Sequence, residues 1–262
     1  MKIIVCVKQV PDTTEVKINK ETGTLIRDGV PSILNPDDAN ALEEALRMKD
    51  ANKDVHVTVV SMGPPQAEEM LRECLAMGAD EAVLLSDRAF GGSDTWSTSN
   101  AIASGIKTLG EFDIIFAGRQ AIDGDTAQVG PQISEKLGIP QVTYVQKFEI
   151  KENKEVIVQR QLEDGHEMIK VKAPVLLTAV KELNQPRYMA LDKIFEAYTK
   201  QIKVLGINDL DITSDQVGLM ASPTRVFRSF TPDMKTAGIM IDKAPKEAAL
   251  ELLGHLKSKH FI

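Results

Sequence analysis

Short apolar runs alternate with helical patterns along the first 140 residues, and this alternation restricts the possible folds more than any other feature. Four runs predict buried strands, at 3–10, 55–60, 82–85 and 112–117. Four stretches of helical spacing accompany them, at 36–51, 64–77, 95–109 and 125–137. Strands that alternate with helices of this length form right-handed β-α-β units around a parallel sheet. We therefore predict an α/β fold, a doubly wound and mainly parallel sheet with helices on both faces.

The pattern changes after Pro140. Alternating runs at 148–150, 156–161 and 167–171, separated by polar turns, predict antiparallel hairpins, and 174–180 predicts one more strand. A loop follows, then a helix from Leu191, and beyond Leu205 regular periodicity is lost until a helix at 245–257. The expected organisation is an α/β domain at 1–204, with a hairpin insertion at 147–172 and an exposed loop segment at 182–200. A C-terminal extension at 205–262 would pack on another subunit.

Charge and motif content exclude several classes of function. The formal net charge of −7 and a pI near 5.3 argue against nucleic acid or an anionic membrane as the main partner. No apolar stretch approaches the ~20 residues that span a bilayer, and no signal sequence is evident, so we expect a cytoplasmic protein without membrane insertion. Cys6 and Cys74 form no C-x-x-C pair and the four histidines lack metal-ligand spacing, so no metal site is expected. Walker A, G-x-S-x-G and G-x-G-x-x-G motifs are also absent from the sequence.

The segment after the fourth strand is the strongest candidate for ligand binding. Gly118, Gly124 and Gly130 would let the backbone approach a ligand, and a helix starting near Asp125 or Thr126 would present free N–H groups to a phosphate. Arg119 would add a positive charge. A glycine-rich strand-to-helix connection with an aspartate cap is the alternative explanation. The candidate residues are Gly118, Arg119, Gln120, Ala121, Ile122, Asp123, Gly124, Asp125, Thr126, Ala127, Gln128, Val129, Gly130 and Pro131.

Loops after the other strands should meet this segment, because ligands of doubly wound sheets collect at the carboxyl ends of the strands. Additional cofactor-binding candidates lie in these loops, namely Cys6, Lys8, Asn35, Asp38, Met62, Gly63, Asp94 and Thr95. The loop at 86–95 also contains Phe90, Gly91 and Gly92, although an ordinary surface turn explains that loop equally well.

These residues and several motifs together resemble the β subunit of the electron transfer flavoproteins over essentially the whole chain. Matching segments occur in order at 5–8 (VCVK), 35–36 (NP), 76–80 (AMGAD), 118–123 (GRQAID) and 184–188 (NQPRY). The family signature is matched at 158–169, leading to PVLLT at 174–178. The resemblance implies an αβ heterodimer with an adenine nucleotide held at the loops described above. It also implies that the C-terminal extension contacts the α subunit.

The family has two branches that differ in the nucleotide of the β subunit. In the classical branch this is a structural AMP, whereas the bifurcating branch binds a second FAD that accepts hydride from NADH and divides the electrons between ferredoxin and the α-subunit FAD. DGDTAQVGP at 123–131, KQVPDT at 8–13 and FGGSDT at 90–95 resemble the bifurcating branch. In that reading Phe90, Gly91 and Gly92 are candidates for the NADH site. No side chain acts as a catalytic acid or base, and Arg119 is the candidate for tuning the flavin.

The resemblance further implies a segment that recognises an acyl-CoA dehydrogenase or reductase, with Leu191 as its anchor. Arg187, Tyr188 and Lys193 are the neighbouring partner-binding candidates. The alternative for Leu191 is packing on its own helix. Three functions remain open at this point: an NADH-oxidising, bifurcating FAD subunit, a classical AMP-containing electron carrier, and a non-redox adenine-nucleotide sensor.

Overall fold

The computed structural model describes residues 1–12, 31–152, 154–227 and 238–262, together with the backbone of two short strands inside the first gap. Two compact units are present, Met1–Phe227 and Arg228–Ile262. None of the described helices is both long and apolar enough to cross a membrane.

Nine strands of the first unit form one sheet. They are β1 (Lys2–Cys6), β6 (His56–Met62), β7 (Glu81–Leu85), β8 (Ile114–Gly118), β9 (Gln141–Ile150), β10 (Glu155–Gln161), β11 (His166–Lys172), β12 (Val175–Ala179) and β13 (Lys203–Leu205). Their order is β11-β10-β9-β12-β8-β1-β6-β7-β13. In this spatial order every neighbouring pair from β9 across the sheet to β13 at the far edge is parallel. Strand β10 runs antiparallel to β9 and to β11. The predicted α/β class and mainly parallel sheet are therefore confirmed.

Two small antiparallel ladders complete the strands of the described chain. The first joins β2 (Gln9–Pro11) to β5 (Ser32–Leu34), and the second joins β3 (Lys17–Ile18) to β4 (Leu25–Ile26).

Helices cover both faces of the large sheet. The helices of the first unit are α1 (Pro36–Ala51), α2 (Ala67–Met77), α3 (Thr95–Thr108), α4 (Val129–Leu137), α5 (Leu191–Thr199) and the short α6 (Gly218–Ala221). Residues of α1, α2 and α5 share one buried apolar core with Ile3 and Val5, and residues of α3 and α4 share the other with Ile4 and Cys6. Successive residues of β1 thus face opposite cores, which explains its continuous apolar sequence.

The chain reverses direction across the sheet at β1. From β1 it passes through α1, β6 and α2 to β7 on one side, and then α3 returns it to β8 on the other side. Such a reversal leaves a crevice between the carboxyl ends of the two adjacent strands. The loops after β1 and β8 therefore lie next to each other.

The structure corrects several predicted boundaries. The run 3–10 is divided between β1 and β2, and α2 begins at Ala67 instead of residue 64. Helix α4 begins at Val129, so Asp125 and Thr126 belong to the preceding loop, where Asp125 and Ala127 both have a positive φ of 51°. A residue in that region of φ and ψ space cannot continue a right-handed helix.

The predicted hairpins are antiparallel, as expected, and they extend one edge of the main sheet. At the opposite edge, β13 pairs in parallel with β7. Residues 205–227, which the sequence analysis assigned to the extension, belong to the first unit. The short β13 has only three residues, too few to show a recognisable period.

The described part of the second unit contains α7 (Pro245–Ser258). An ion pair of 2.6 Å joins Lys243 Nζ to Glu251 Oε2. Large apolar side chains of this unit are exposed: Leu250, Leu252, Leu253, Phe261 and Ile262.

Candidate functional site

Asp38 joins the ends of β1 and β8 at the crevice. Its carboxylate is buried near the start of α1 and accepts hydrogen bonds from Lys8 N at 2.9 Å and from Gly118 N at 2.9 Å. Burial raises the pKa of Asp38 to about 7, although these donors and Asn35 favour the charged form. This residue, a cofactor-binding candidate from the sequence, holds the chain after β1 and the end of β8 together.

Gly118 is required by this contact. A Cβ at residue 118 would lie 2.3 Å from Asp38 Oδ1 and 2.7 Å from the Asp38 backbone nitrogen. Gly130 is equally crowded, because its Cβ would lie 2.7 Å from Thr178 Cγ2 on β12. Both glycines were expected to let a ligand approach, and the atoms around them give a packing reason for the absence of a side chain. Gly124 differs, since nothing lies within 4 Å of the position of its Cβ.

Asn35 holds the loop that follows β8. Its fully buried amide donates from Nδ2 to Gln120 O at 2.8 Å and accepts at Oδ1 from Ile122 N at 3.1 Å. Asn35 is at the N-cap position of α1, but its side chain makes no capping hydrogen bond. Its amide is instead used by the loop 119–128.

Two polar contacts complete this loop. Lys8 Nζ lies 2.5 Å from Asp123 Oδ1, with the Asp123 side chain almost buried, and Gln120 Nε2 donates to Asp125 Oδ1. The backbone N–H groups of Gly124 and Asp125 both donate to the carbonyl of Ala121. The loop is therefore a tight turn closed by its own contacts and by an ion pair to the end of β1.

The start of α4 offers unpaired hydrogen-bond donors. Gln128 is at the N-cap position and forms no side-chain cap. Within the described residues, the N–H groups of Thr126, Ala127 and Gln128 donate no hydrogen bond. The first N–H groups of a helix have no partner inside it, so Val129 and Gly130 add two more donors. A phosphate is a suitable acceptor for such a group.

Arg119 supplies a positive charge on the same loop. Its Nε lies 3.3 Å from Asp37 Oδ2 without hydrogen-bond geometry, and its guanidinium carbon lies 5.8 Å from the centre of the Tyr144 ring. Burial raises the pKa of Asp37, and the charge of Arg119 acts in the opposite direction. The Arg119 side chain is about one-third exposed.

The loop between β7 and α3 contains residues expected at an NADH site. Gly91 and Gly92 are exposed, but Phe90 is buried in the core with α3, so its ring cannot line a binding surface. Asp94 caps α3 by accepting from Ser97 N at 3.0 Å. Burial acts to raise the pKa of Asp94, but its hydrogen bonds, including those from Thr224, hold that pKa below its usual value.

Residues 217–224 pack on this loop, which the sequence analysis did not anticipate. Leu219 N donates to Gly91 O at 3.1 Å, Gly218 N donates to Ser93 Oγ at 2.9 Å, and Asp94 N donates to Ser222 Oγ at 2.9 Å. Each of these contacts is donated by a backbone N–H group, which has no periodic sequence signal.

Thr95 and Gln128 connect the two loops of the site. Thr95 Oγ1 donates to Gln128 Oε1 at 3.0 Å, next to the starts of α3 and α4. The starts of both helices therefore lie side by side, with α3 capped by an acid and α4 uncapped.

The remaining cofactor candidates lie at the edge of this site. Burial raises the pKa of Cys6 to about 12, so its thiol is protonated and packs in the core. Met62 is half-buried against the same core, and Gly63 N donates to Leu85 O at 3.0 Å.

A second surface surrounds α5, where partner contacts were expected. Leu191 is 74% exposed and Tyr188 is 97% exposed, whereas Arg187 binds Glu43 and Asp50 through its guanidinium at 2.7–3.1 Å. Lys193 is half-buried near Gly78.

Two members of this surface were not predicted from the sequence. Phe195 and Tyr198 are about 70% exposed and follow Leu191 at i+4 and i+7, so one outward face of α5 carries all three. That spacing was available in the sequence, where it is also typical of a helix face that packs in a core. The name α5 surface is used below for Tyr188, Met189, Leu191, Phe195 and Tyr198.

Comparison with known proteins decides the family. A model of the electron transfer flavoprotein domain matches residues 22–210. The chain belongs to the electron transfer flavoprotein family. It is 60% identical to the electron transfer flavoprotein subunit β of Clostridium acetobutylicum, with all of both chains covered.

Other similar proteins belong to reductase complexes. The chain is 60% identical to subunit CarD of the caffeyl-CoA reductase–Etf complex of Acetobacterium woodii, again over the whole of both chains. It is 51% identical to the acryloyl-CoA reductase electron transfer subunit γ of Anaerotignum propionicum over both full lengths. The family resemblance stated from the sequence is therefore confirmed.

Proposed function

We propose that this chain is the β subunit of a bifurcating electron transfer flavoprotein. It would bind FAD between the loops after β1, β7 and β8, accept electrons from NADH, and divide them between ferredoxin and the FAD of an α subunit. The observation that carries this proposal is the row of unpaired backbone donors at 126–130, in the loop and helix start that follow β8, next to the point where the strand order reverses.

The donor set fits a diphosphate. An uncapped helix start attracts anions, and each favourable charge there contributes about 0.3–1 kcal/mol. The nearby acid Asp123 is paired with Lys8, which reduces its repulsion of a phosphate. The open space at Gly124 leaves room for a group larger than a single phosphate, and Arg119 adds a positive charge on the same loop.

When FAD is bound, its ring supplies the hydride and electron chemistry. The residues of this chain bind and orient it. Arg119 places a positive charge at the site, which favours an anionic reduced form of a nearby ring. The β7–α3 loop, with Gly91 and Gly92 exposed, is the proposed approach for NADH.

A classical β subunit with a structural AMP is the second candidate. The single phosphate of AMP needs only one uncapped helix start. Helix α4 provides that start, whereas α3 is capped by Asp94. We favour FAD because the motifs at 8–13, 90–95 and 123–131 resemble the bifurcating branch, and because two of the relatives named above belong to acyl-CoA reductase complexes.

The proposed partners follow from the same resemblance. The α7 unit would contact the α subunit, and the α5 surface would contact an acyl-CoA dehydrogenase or reductase. We propose that the protein acts in the cytoplasm as one subunit of an NADH-dependent oxidoreductase complex, without binding nucleic acid.

Nucleotide analysis of the purified αβ heterodimer tests this proposal. The protein is denatured, and the released nucleotides are separated and quantified per heterodimer. Two FAD molecules per heterodimer would support bifurcation, whereas one FAD with one AMP would establish the classical alternative. Adenine nucleotide without flavin would overturn both and indicate a sensor.

A further inference from the structure

The side-chain amide of Asn35 is occupied by hydrogen bonds within the chain. Both of its hydrogen-bonding ends are used by the backbone of the loop 119–128, at Gln120 O and Ile122 N. The side chain is 0% exposed, so a bound nucleotide would reach it only after these bonds break.

The loop that Asn35 holds is the one that carries the unpaired donors. Between Ile122 and the start of α4 lie two residues with positive φ, Asp125 and Ala127. Non-glycine residues in that conformation need support from their surroundings. Asn35 fixes the first turn of the loop, and Lys8 fixes Asp123 within the same turn.

We propose that Asn35 is a positioning residue for nucleotide binding, which acts by holding the 119–128 loop in its binding conformation and does not touch the nucleotide. This inference rests on the proposed nucleotide site, but it holds for either FAD or AMP. A preformed loop avoids the entropy loss of ordering at the moment of binding, so its disruption speeds nucleotide release.

The chain provides a matched control on the same helix. Asn40 is also a buried asparagine of α1, and its Nδ2 donates to Asn184 O at 2.8 Å. Removal of either amide leaves partly buried backbone groups unpaired, so both changes lower stability through the same type of contact. The two changes differ in the loop that they release.

The experiment compares Asn35→Ala, Asn35→Asp and Asn40→Ala in the coexpressed αβ heterodimer. Nucleotide released during dilution is followed over time, and the thermal unfolding midpoint of each variant is measured. We expect Asn35→Ala to release the β-subunit nucleotide at least ten-fold faster than wild type, equivalent to about 1.4 kcal/mol. Asn40→Ala should lower the midpoint while its release rate stays at the wild-type value.

Asn35→Asp distinguishes positioning from side-chain size. Aspartate keeps an acceptor for Ile122 N but places a second oxygen against the Gln120 carbonyl. We expect this variant to release nucleotide as fast as Asn35→Ala. Wild-type release rates in both Asn35 variants, or equal acceleration by Asn40→Ala, would overturn the inference. A wild-type heterodimer without a β-subunit nucleotide would instead overturn the proposed function.

Discussion

The carboxylate of Asp38 occupies the space that a side chain at residue 118 would need. Its two oxygens each accept one backbone N–H, from Lys8 and from Gly118. An asparagine has one acceptor and one donor group, so one of these buried N–H groups would face an NH2. We expect Asp38→Asn to lower the free energy of unfolding by about 1–3 kcal/mol at pH 8, where the carboxyl group of Asp38 is ionised.

Denaturant unfolding of the two proteins measures this difference. Asp54→Asn is the control, because Asp54 is exposed and its change should stay within about 0.5 kcal/mol. An Asp38→Asn variant as stable as wild type would contradict the hydrogen-bond assignment.

The raised pKa of Asp38 adds a pH dependence. Between the usual aspartate pKa near 4 and the folded value of about 7, the folded state binds one more proton than the unfolded chain. The contribution of Asp38 to the free energy of unfolding is therefore fully present at low pH. It is lost as the pH rises through that window, at up to about 1.4 kcal/mol per pH unit. We expect the stability advantage of wild type over Asp38→Asn to shrink from pH 4 to pH 7 and then to level off. A difference independent of pH would show that Asp38 titrates normally.

Residue types drew attention to the loop after β8 but did not predict the contacts of each residue. The glycines at 118 and 130 were expected to let a ligand approach, yet the contacts that exclude a Cβ come from Asp38 and Thr178, distant in sequence. Asn35 lies at the N-cap position of α1, where an asparagine side chain commonly caps the helix, but its amide binds the 119–128 loop instead. Such assignments depend on which distant backbone groups lie nearby, and local patterns do not contain that information.

Among the elements, α4 is positioned by close contact with β12. A Cβ at Gly130 would meet Thr178 Cγ2 at 2.7 Å, and both lie in packed structure. We expect Gly130→Ala to lower the free energy of unfolding by about 1–3 kcal/mol through overpacking. Thr178→Ser removes the obstructing methyl group but keeps the hydroxyl that accepts from Tyr144 N at 3.1 Å.

The double variant Gly130→Ala with Thr178→Ser should therefore recover much of the loss, and a double-mutant cycle of unfolding measures the coupling. Gly165→Ala is the control, since its Cβ would meet nothing within 4 Å. Additive effects of the two substitutions would exclude the proposed steric contact.

The α5 surface gives a prediction about electron transfer. Leu191 and Phe195 are mostly exposed, so replacing either with alanine should change the free energy of unfolding by less than about 0.5 kcal/mol. If they anchor a partner, each lost apolar contact should raise the KM for an acyl-CoA dehydrogenase, measured as its reduction by the flavoprotein, roughly ten-fold for about 1.5 kcal/mol. The nucleotide content should remain that of wild type.

Asp192→Ala, an exposed polar change on the same helix, is the control. An unchanged KM in both apolar variants would place the partner elsewhere.

Helices and central strands with strong periodicity were predictable, whereas irregular and edge elements were not. Helix α1, with Pro36 at its first position, and α4, ending at Gly138 in the left-handed conformation, carry local signals that the structure confirms. The predicted start of α4 was wrong by several residues. Asp125 and Ala127 adopt positive φ values, which their sequence did not signal.

Across the whole molecule, the two units differ in how their apolar residues are used. The first unit buries two apolar cores on either side of its sheet, whereas the described helix of the second unit, α7, has no buried residue. The sequence predicted the sheet class but not the boundary, since residues 205–227 pack on the first unit through backbone contacts such as Leu219 N to Gly91 O.

The exposed leucines of α7 support a final prediction about assembly. Leu250 and Leu253 are three positions apart and lie on neighbouring parts of the helix surface. Replacing both with serine should weaken association with the α subunit, because burying each leucine contributes about 1.5–3 kcal/mol. Copurification of the two subunits and the dissociation constant of the heterodimer measure the effect, with an expected increase in Kd of at least 100-fold.

The paired control is Lys246→Ser with Lys257→Ser, two polar changes on the same helix. Because α7 has no buried residue, the leucine variants should unfold at the wild-type temperature when the β subunit is heated alone. If the leucine variant binds the α subunit as tightly as wild type, α7 is not part of the subunit interface. The exposed Phe261 and Ile262 would then be the next residues to test.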